Sequence, residues 1–148
     1  MFGLPVALTL ESASSCNLHC PDCPRGANSL TRSKGLMSMA LFERLVNDVW
    51  AYTLHVQLFF QGEPTLNVNL VSMVEALSAK RIFTVVSTNG QLVTADFAQG
   101  LVRAQLGKII VSVDGTTQEV YSRYRVGGAL DRALDAIQLV ARAKKQQN

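Results

Sequence analysis

Apolar positions along the chain recur with two alternating periods. Val6–Leu10 is a short apolar run that includes Thr9, and it reads as a buried strand. Residues 24–38 interrupt the pattern with Pro24, Gly26, Asn28, Ser29, Ser33 and Gly35, and are expected to form a loop. Ser38 stands where it caps a helix over about 39–52, on which Phe42, Leu45, Val46, Val49 and Trp50 share one face. From His55 to Phe60 the spacing changes to alternation, with Val56, Leu58 and Phe60 on one side of a second strand. Asn69 is placed to cap a helix at about 70–80, with Leu70, Val74 and Leu77 facing inward. Ile82–Ser87 is a third strand, and Thr94 opens a helix at about 95–105 that Gly100 weakens. Ile109–Val113 is a fourth strand. Thr116 and Glu119 fit a capping box for a short helix. After Gly127 and Gly128, a last helix carries Leu130, Leu134, Ile137 and Val140.

Strands that alternate with helices imply an α/β fold with a parallel sheet and right-handed crossovers. Ligands of such sheets gather at the C-terminal strand ends. The chain supplies about four βα units, without close internal repeats. A complete (βα)8 barrel takes about 250 residues. The expectation is therefore a partial (βα) TIM-like barrel, one domain over residues 1–148, shortened at the C-terminal side, with an exposed edge at its last strand.

Composition narrows the function classes. A chain of 148 residues with 48% hydrophobic side chains supports one packed core. The net charge of +3 is mild, and the basic residues are scattered apart from Arg142, Lys144 and Lys145, which read as a solvated helix end. No nucleic-acid partner is expected. No apolar run is long enough to span a bilayer, so no membrane partner is expected either. Met1–Leu10 is apolar, but no Lys or Arg precedes it and Glu11 ends it, which argues against a secretory signal. Clustered thiols without an export signal place the expected location in the cytoplasm.

The candidate chemistry lies in Cys16, Cys20 and Cys23, the only three cysteines, spaced C-x3-C-x2-C. A disulfide uses two and leaves one over, and the intervals are too short for most unstrained pairs. Metal ligation uses all three. A structural zinc ion normally wants four protein ligands. His19 adjoins Cys20 and His55 is distant in sequence, so neither is a natural fourth. A four-iron cluster normally takes four thiolates. With three, one iron is left open for a ligand that is not protein.

C-x3-C-x2-C after a first apolar strand resembles the signature of the radical S-adenosylmethionine (SAM) superfamily, and the run Cys16–Gly26 is similar to its SPASM-type branch of peptide-modifying and sulfatase-maturating enzymes. The resemblance implies a [4Fe–4S] cluster held by the three cysteines. It further implies SAM on the open iron, and reductive cleavage to a 5′-deoxyadenosyl radical that abstracts hydrogen from substrate. Many members carry an aromatic residue just before the third cysteine, beside the adenine; Asp22 stands there in this chain. Gln61-Gly62-Glu63-Pro64 resembles the family's Gly-Gly-Glu-Pro motif, with Gln for the first Gly. There the strand end offers carbonyls to the SAM amine, Gly62 allows close approach, and Glu63 fixes the motif or the amine. The same residues also suit an ordinary strand-to-loop turn. Ser87, Asn89, Ser112 and Asp114 resemble the polar ends of strands three and four, with Ser112 the first candidate for the ribose hydroxyls. Polar residues before glycine are common at such ends in any α/β protein. Arg125 matches an arginine that contacts the SAM carboxylate, with Arg123 as the fallback and a plain surface arginine as the other reading.

The resemblance spans Val6 to about Ile137 and implies an oxidoreductase-type enzyme core. An electron donor such as flavodoxin or ferredoxin is expected, with a peptide or protein among the substrate classes. Two other readings stay open: a non-enzymatic thiolate metal-binding module for zinc or iron, and a shortened scaffold without turnover.

Overall fold

The computed structural model describes residues 4–147; Met1, Phe2 and Gly3 of the apolar amino-terminal stretch, and Asn148, lie outside the described residues. Four strands, β1 (Ala7–Thr9), β2 (His55–Gln57), β3 (Phe83–Thr88) and β4 (Lys108–Val111), form one sheet in the order β1-β2-β3-β4. All three pairings are parallel, with Ala7 opposite His55 and His55 opposite Phe83. Crossovers run through α1 (Met39–Val49), α2 (Leu70–Ala79) and α3 (Ala95–Arg103), and β4 is followed by α4 (Gln118–Tyr124) and α5 (Leu130–Gln147). This is the partial (βα) barrel expected from the alternation of periods. β1 and β4 are the edges of the described sheet.

The core lies between the sheet and its helices. Val56, Leu58 and Val86 meet Phe42 and Val46 of α1 and Leu70, Met73, Val74 and Leu77 of α2. All of these are at most 2% exposed, as their two- and 3.6-residue spacings require. A smaller cluster joins Tyr121, Leu130 and Ala133 beside β4.

Several local expectations need correction. β2 ends at Gln57, and Phe60 lies beyond it, 64% exposed. The chain still follows β3 for one more bond, Leu58 N to Val85 O at 2.9 Å, before it turns away. Trp50 is the C-terminal cap of α1 and is half exposed, with the Lys80 ammonium 4.8 Å from its ring centroid. Ser38 and Thr94 cap α1 and α3 as expected, but Asn69 gives α2 no side-chain cap. Asn67 serves that turn instead: its Oδ1 accepts from Asn69 N at 3.0 Å, and its Nδ2 donates to Ser12 O and Met37 O. The capping box also fails. Thr117, not Thr116, caps α4, and Glu119 pairs with Arg123 one turn on. In α5, Leu134 and Ile137 are 41% and 44% exposed, and Ala133, Ala136 and Ala143 face inward with Leu130. Small side chains let α5 lie close, so its apolar stripe is not its buried face.

Candidate functional site

The cysteine loop leaves the C-terminal end of β1 and folds back on itself through Cys23 N to Cys20 O at 3.2 Å. Gly26 closes it. A Cβ there would lie 2.4 Å from Cys20 O, so only glycine lets the backbone pass this closely. Leu18 anchors the loop in the interior, and His19 N donates to Val126 O at 3.0 Å, which ties it to the turn after α4. Cys20 is buried, Cys16 and Cys23 are half-buried, and all three are free thiols. They line one cleft of about 200 Å³ at the C-terminal ends of the strands.

The sheet meets each sulfur with a different group. Arg125 Nη1 lies 3.7 Å from Cys20 Sγ, and Asn89 Nδ2 lies 3.9 Å from Cys16 Sγ. Leu18 N donates to Cys16 Sγ at 3.4 Å, and the Cys23 thiol reaches Gln61 O at 3.8 Å. Burial pushes the Cys16 thiol above its ordinary pKa. Burial also raises Cys20, partly offset by the Arg125 charge.

Gln61 and Gly62 are held by a residue the sequence reading passed over. Glu11 Oε1 accepts from Gln61 N at 3.0 Å and from Gly62 N at 3.2 Å. Arg32, from the long loop, forms a two-pronged ion pair with the same carboxylate and donates to Gln61 Oε1 at 3.0 Å. Gln in place of Gly therefore gains a side-chain partner on that loop. Gly62 is required by the chain beside it, since a Cβ there would lie 2.0 Å from Ala13 O. An acid that ends an apolar strand was the available signal for Glu11. Nothing in the sequence paired it with Arg32.

The Glu63 carboxylate is engaged by the protein. It accepts from Thr65 N and Thr65 Oγ1, from Thr88 Oγ1 at 2.7 Å and from Asn89 N at 2.8 Å, and the residue is 2% exposed. These bonds tie the loop after β2 to Thr88 and Asn89 at the end of β3. Pro64 is buried as the first residue of a 3₁₀ turn, Pro64–Leu66, and is not on the cleft wall. Ser87 and Ser112 are on that wall, half-buried. Asn89 is also there, buried, with its Nδ2 on Asn17 Oδ1 at 2.8 Å, so it fastens the cysteine loop to β3. Asp114 lies off the wall and pairs with Arg125 Nε. Arg125 is on the wall; Arg123, the fallback, is exposed, off the wall and bound to Glu119.

The donor set suits one kind of group. Thiolates select soft metals. Among the described residues, no three His, Cys, Asp or Glu side chains converge on a single ion. Three thiols spread around one cleft suit a cluster in which each binds a different iron. Arg25, two residues past Cys23, is buried with Nε and Nη2 unpartnered among the described residues. A buried cation next to this loop, off the cleft wall, suits an anionic group held by the loop.

The family model of the Radical SAM superfamily matches residues 10–146. The chain belongs to the radical SAM superfamily. That family uses a [4Fe–4S] cluster with SAM. The chain is 29% identical over 139 residues to mycofactocin maturase MftC of Mycobacterium tuberculosis (strain CDC 1551 / Oshkosh), covering 94% of this chain and 35% of that protein. It is 25% identical to an AdoMet-dependent heme synthase of Methanosarcina barkeri (97% and 41% covered), and 28% identical to a PqqA peptide cyclase of Rhodopseudomonas palustris (86% and 33% covered). Among solved structures, anSMEcpe with bound AdoMet superposes with a TM-score of 0.76 at 26% identity, over 95% of this chain and 41% of that one. The chain spans between about a third and two fifths of the length of these curated relatives. No helix among the described residues is long and apolar enough to cross a membrane.

Proposed function

We propose that this chain is the cofactor-binding part of a radical SAM enzyme, with Cys16, Cys20 and Cys23 as the cluster ligands. The observation that carries this reading is a pair of contacts on one cleft: Gln61 O against Cys23 Sγ at 3.8 Å, and Arg125 Nη1 against Cys20 Sγ at 3.7 Å. A carbonyl suits an ammonium group and a guanidinium suits a carboxylate. The two flank the thiols as the α-amino and α-carboxylate groups of SAM demand. A cluster held by Cys16, Cys20 and Cys23 would supply the one electron for cleavage of bound SAM into methionine and a 5′-deoxyadenosyl radical, the hydrogen-abstracting chemistry of the family.

The protein's own part is to bind and orient. Glu11 directs the Gln61 and Gly62 amides away from the cleft, which leaves carbonyls for the amine. Ser112 and Ser87 are assigned to the ribose, and Arg125, steadied by Asp114, to the carboxylate. Glu63 and Asn89 hold the loop after β2, the end of β3 and the cysteine loop together around the site. A peptide substrate is favoured by the maturase and PqqA peptide cyclase relatives, and a flavodoxin- or ferredoxin-type donor supplies the electron. The cytoplasm, where thiols stay reduced, fits three free cysteines.

The test is anaerobic reconstitution with iron and sulfide, followed by a strong reductant and SAM. The expected result is bound iron and sulfide together with 5′-deoxyadenosine, both lost in Cys20→Ala. Zinc without sulfide would instead favour the metal-binding module. A cluster without product would favour the scaffold.

A further inference from the structure

An adenine ring in this cleft gains from an aromatic face, because base–aromatic stacking contributes about tenfold or more in affinity. Most of the wall is thiol, hydroxyl, carbonyl and charge. Asp22, just before the third cysteine, is exposed and has no π face. Among the described residues, two aromatic rings line the cleft, those of Phe60 and Tyr124. Phe60 is 64% exposed and adjoins Gln61, on the side that suits the amine. Tyr124 is half-buried at the end of α4.

The Tyr124 ring is held from two directions. The Arg125 guanidinium carbon lies 5.3 Å from its centroid, and that guanidinium is itself bound to Asp114 and directed at Cys20 Sγ. The backbone is tied as well: Val126 N donates to Tyr124 O at 3.0 Å, and Val126 O accepts from His19 N of the cysteine loop. The ring therefore keeps a fixed place relative to the thiols. A stacking surface that is already ordered loses little entropy on binding.

We infer that Tyr124 is the stacking surface for the adenine of SAM in this chain, supplying the aromatic face that Asp22 lacks. This rests on the cleft being the SAM site. It makes Tyr124 a recognition residue for the nucleoside half, separate from the carboxylate contact of its neighbour Arg125.

The test uses the cluster-loaded chain and three probes: SAM, 5′-deoxyadenosine and methionine, each measured by equilibrium dialysis. Tyr124→Leu keeps an apolar side chain and removes the π face; Tyr124→Phe keeps the face. The expected result is about tenfold weaker SAM and 5′-deoxyadenosine binding in Tyr124→Leu. Methionine binding should be unchanged, and Tyr124→Phe should bind within about twofold of the parent. Iron content and melting temperature, measured on each variant, show that the loop is intact. Unchanged SAM affinity in Tyr124→Leu would overturn the inference. So would an equal loss of methionine binding, which would mean the ring acts only by placing Arg125. A parent chain that carries the cluster but binds neither SAM nor 5′-deoxyadenosine would instead overturn the reading of the cleft as a SAM site.

Discussion

Glu63 Oε2, in the loop that follows β2, accepts a hydrogen bond from Asn89 N, just past the end of β3, at 2.8 Å. The other oxygen takes Thr88 Oγ1 and both donors of Thr65. One buried carboxylate thus joins the loop after β2 to the end of β3 on the wall of the cleft. Every partner is a donor, so the site needs an acceptor at both oxygens. Glu63→Gln puts an NH₂ group against those donors. The expected cost is about 1–3 kcal/mol of unfolding free energy, read from urea denaturation. Thr65→Val removes one donor and leaves the others paired, and should cost less.

Gly62 reports on a different junction. The backbone at Gly62 passes so close to Ala13 O that a methyl group has no room, and the obstacle is main chain that cannot swing aside. Gly62→Ala must therefore move the loop after β2 away from the loop after β1. Iron uptake on reconstitution and SAM affinity should both fall, because the two loops carry Gln61 and the cysteines. Gly35→Ala, where a Cβ meets nothing within 4 Å, is the control and should leave both unchanged.

Arg125 and Arg123 are two residues apart and have opposite expectations. Arg125 sits on the cleft with its charge near Cys20 and its Nε on Asp114. Lysine at this position keeps the charge but cannot reach both partners. Arg125→Lys should weaken SAM binding about tenfold or more, while Arg123→Lys, out on the surface with Glu119, should not change it.

The strand and helix order was legible because the apolar spacing is regular through Phe42, Val46, Val56, Leu58, Val74 and Leu77, all of them buried. The cysteine loop was legible because its three cysteines fall within eight residues of sequence. What escaped were long-range polar contacts. Glu11 meets the amides of Gln61 and Gly62, and Asn67 bridges Ser12 and Met37, across separations that leave no local pattern. The apolar residues of α5 did not show which of its faces is buried. Leu134 and Ile137 are among its larger apolar residues, yet the buried side is made by Leu130 and three alanines, Ala133, Ala136 and Ala143.

Glu11 also sets a pH dependence whose sign follows from its partners. Burial works to raise its carboxyl pKa. The Arg32 hydrogen bond, the Gln61 and Gly62 amides and the Arg32 charge outweigh it, so the folded value lies below the ordinary one. A lowered folded value means the unfolded chain takes up the proton first as pH falls. The stabilisation is therefore complete above the unfolded value of about 4.3, and is lost as pH drops through the lower folded value. The expected result is an acid limb in the urea midpoint that begins below about pH 5 and is shallower in Glu11→Gln, which has no carboxyl to protonate. At pH 7 the same variant should be less stable than the parent, because an amide is a weaker acceptor for the two backbone amides and no ion pair holds Arg32. SAM affinity at pH 7 should fall with it, since the Gln61 carbonyl loses the anchor that turns it toward Cys23. An acid limb identical in parent and variant would assign the pH dependence to other carboxylates and leave Glu11 a contact without linkage.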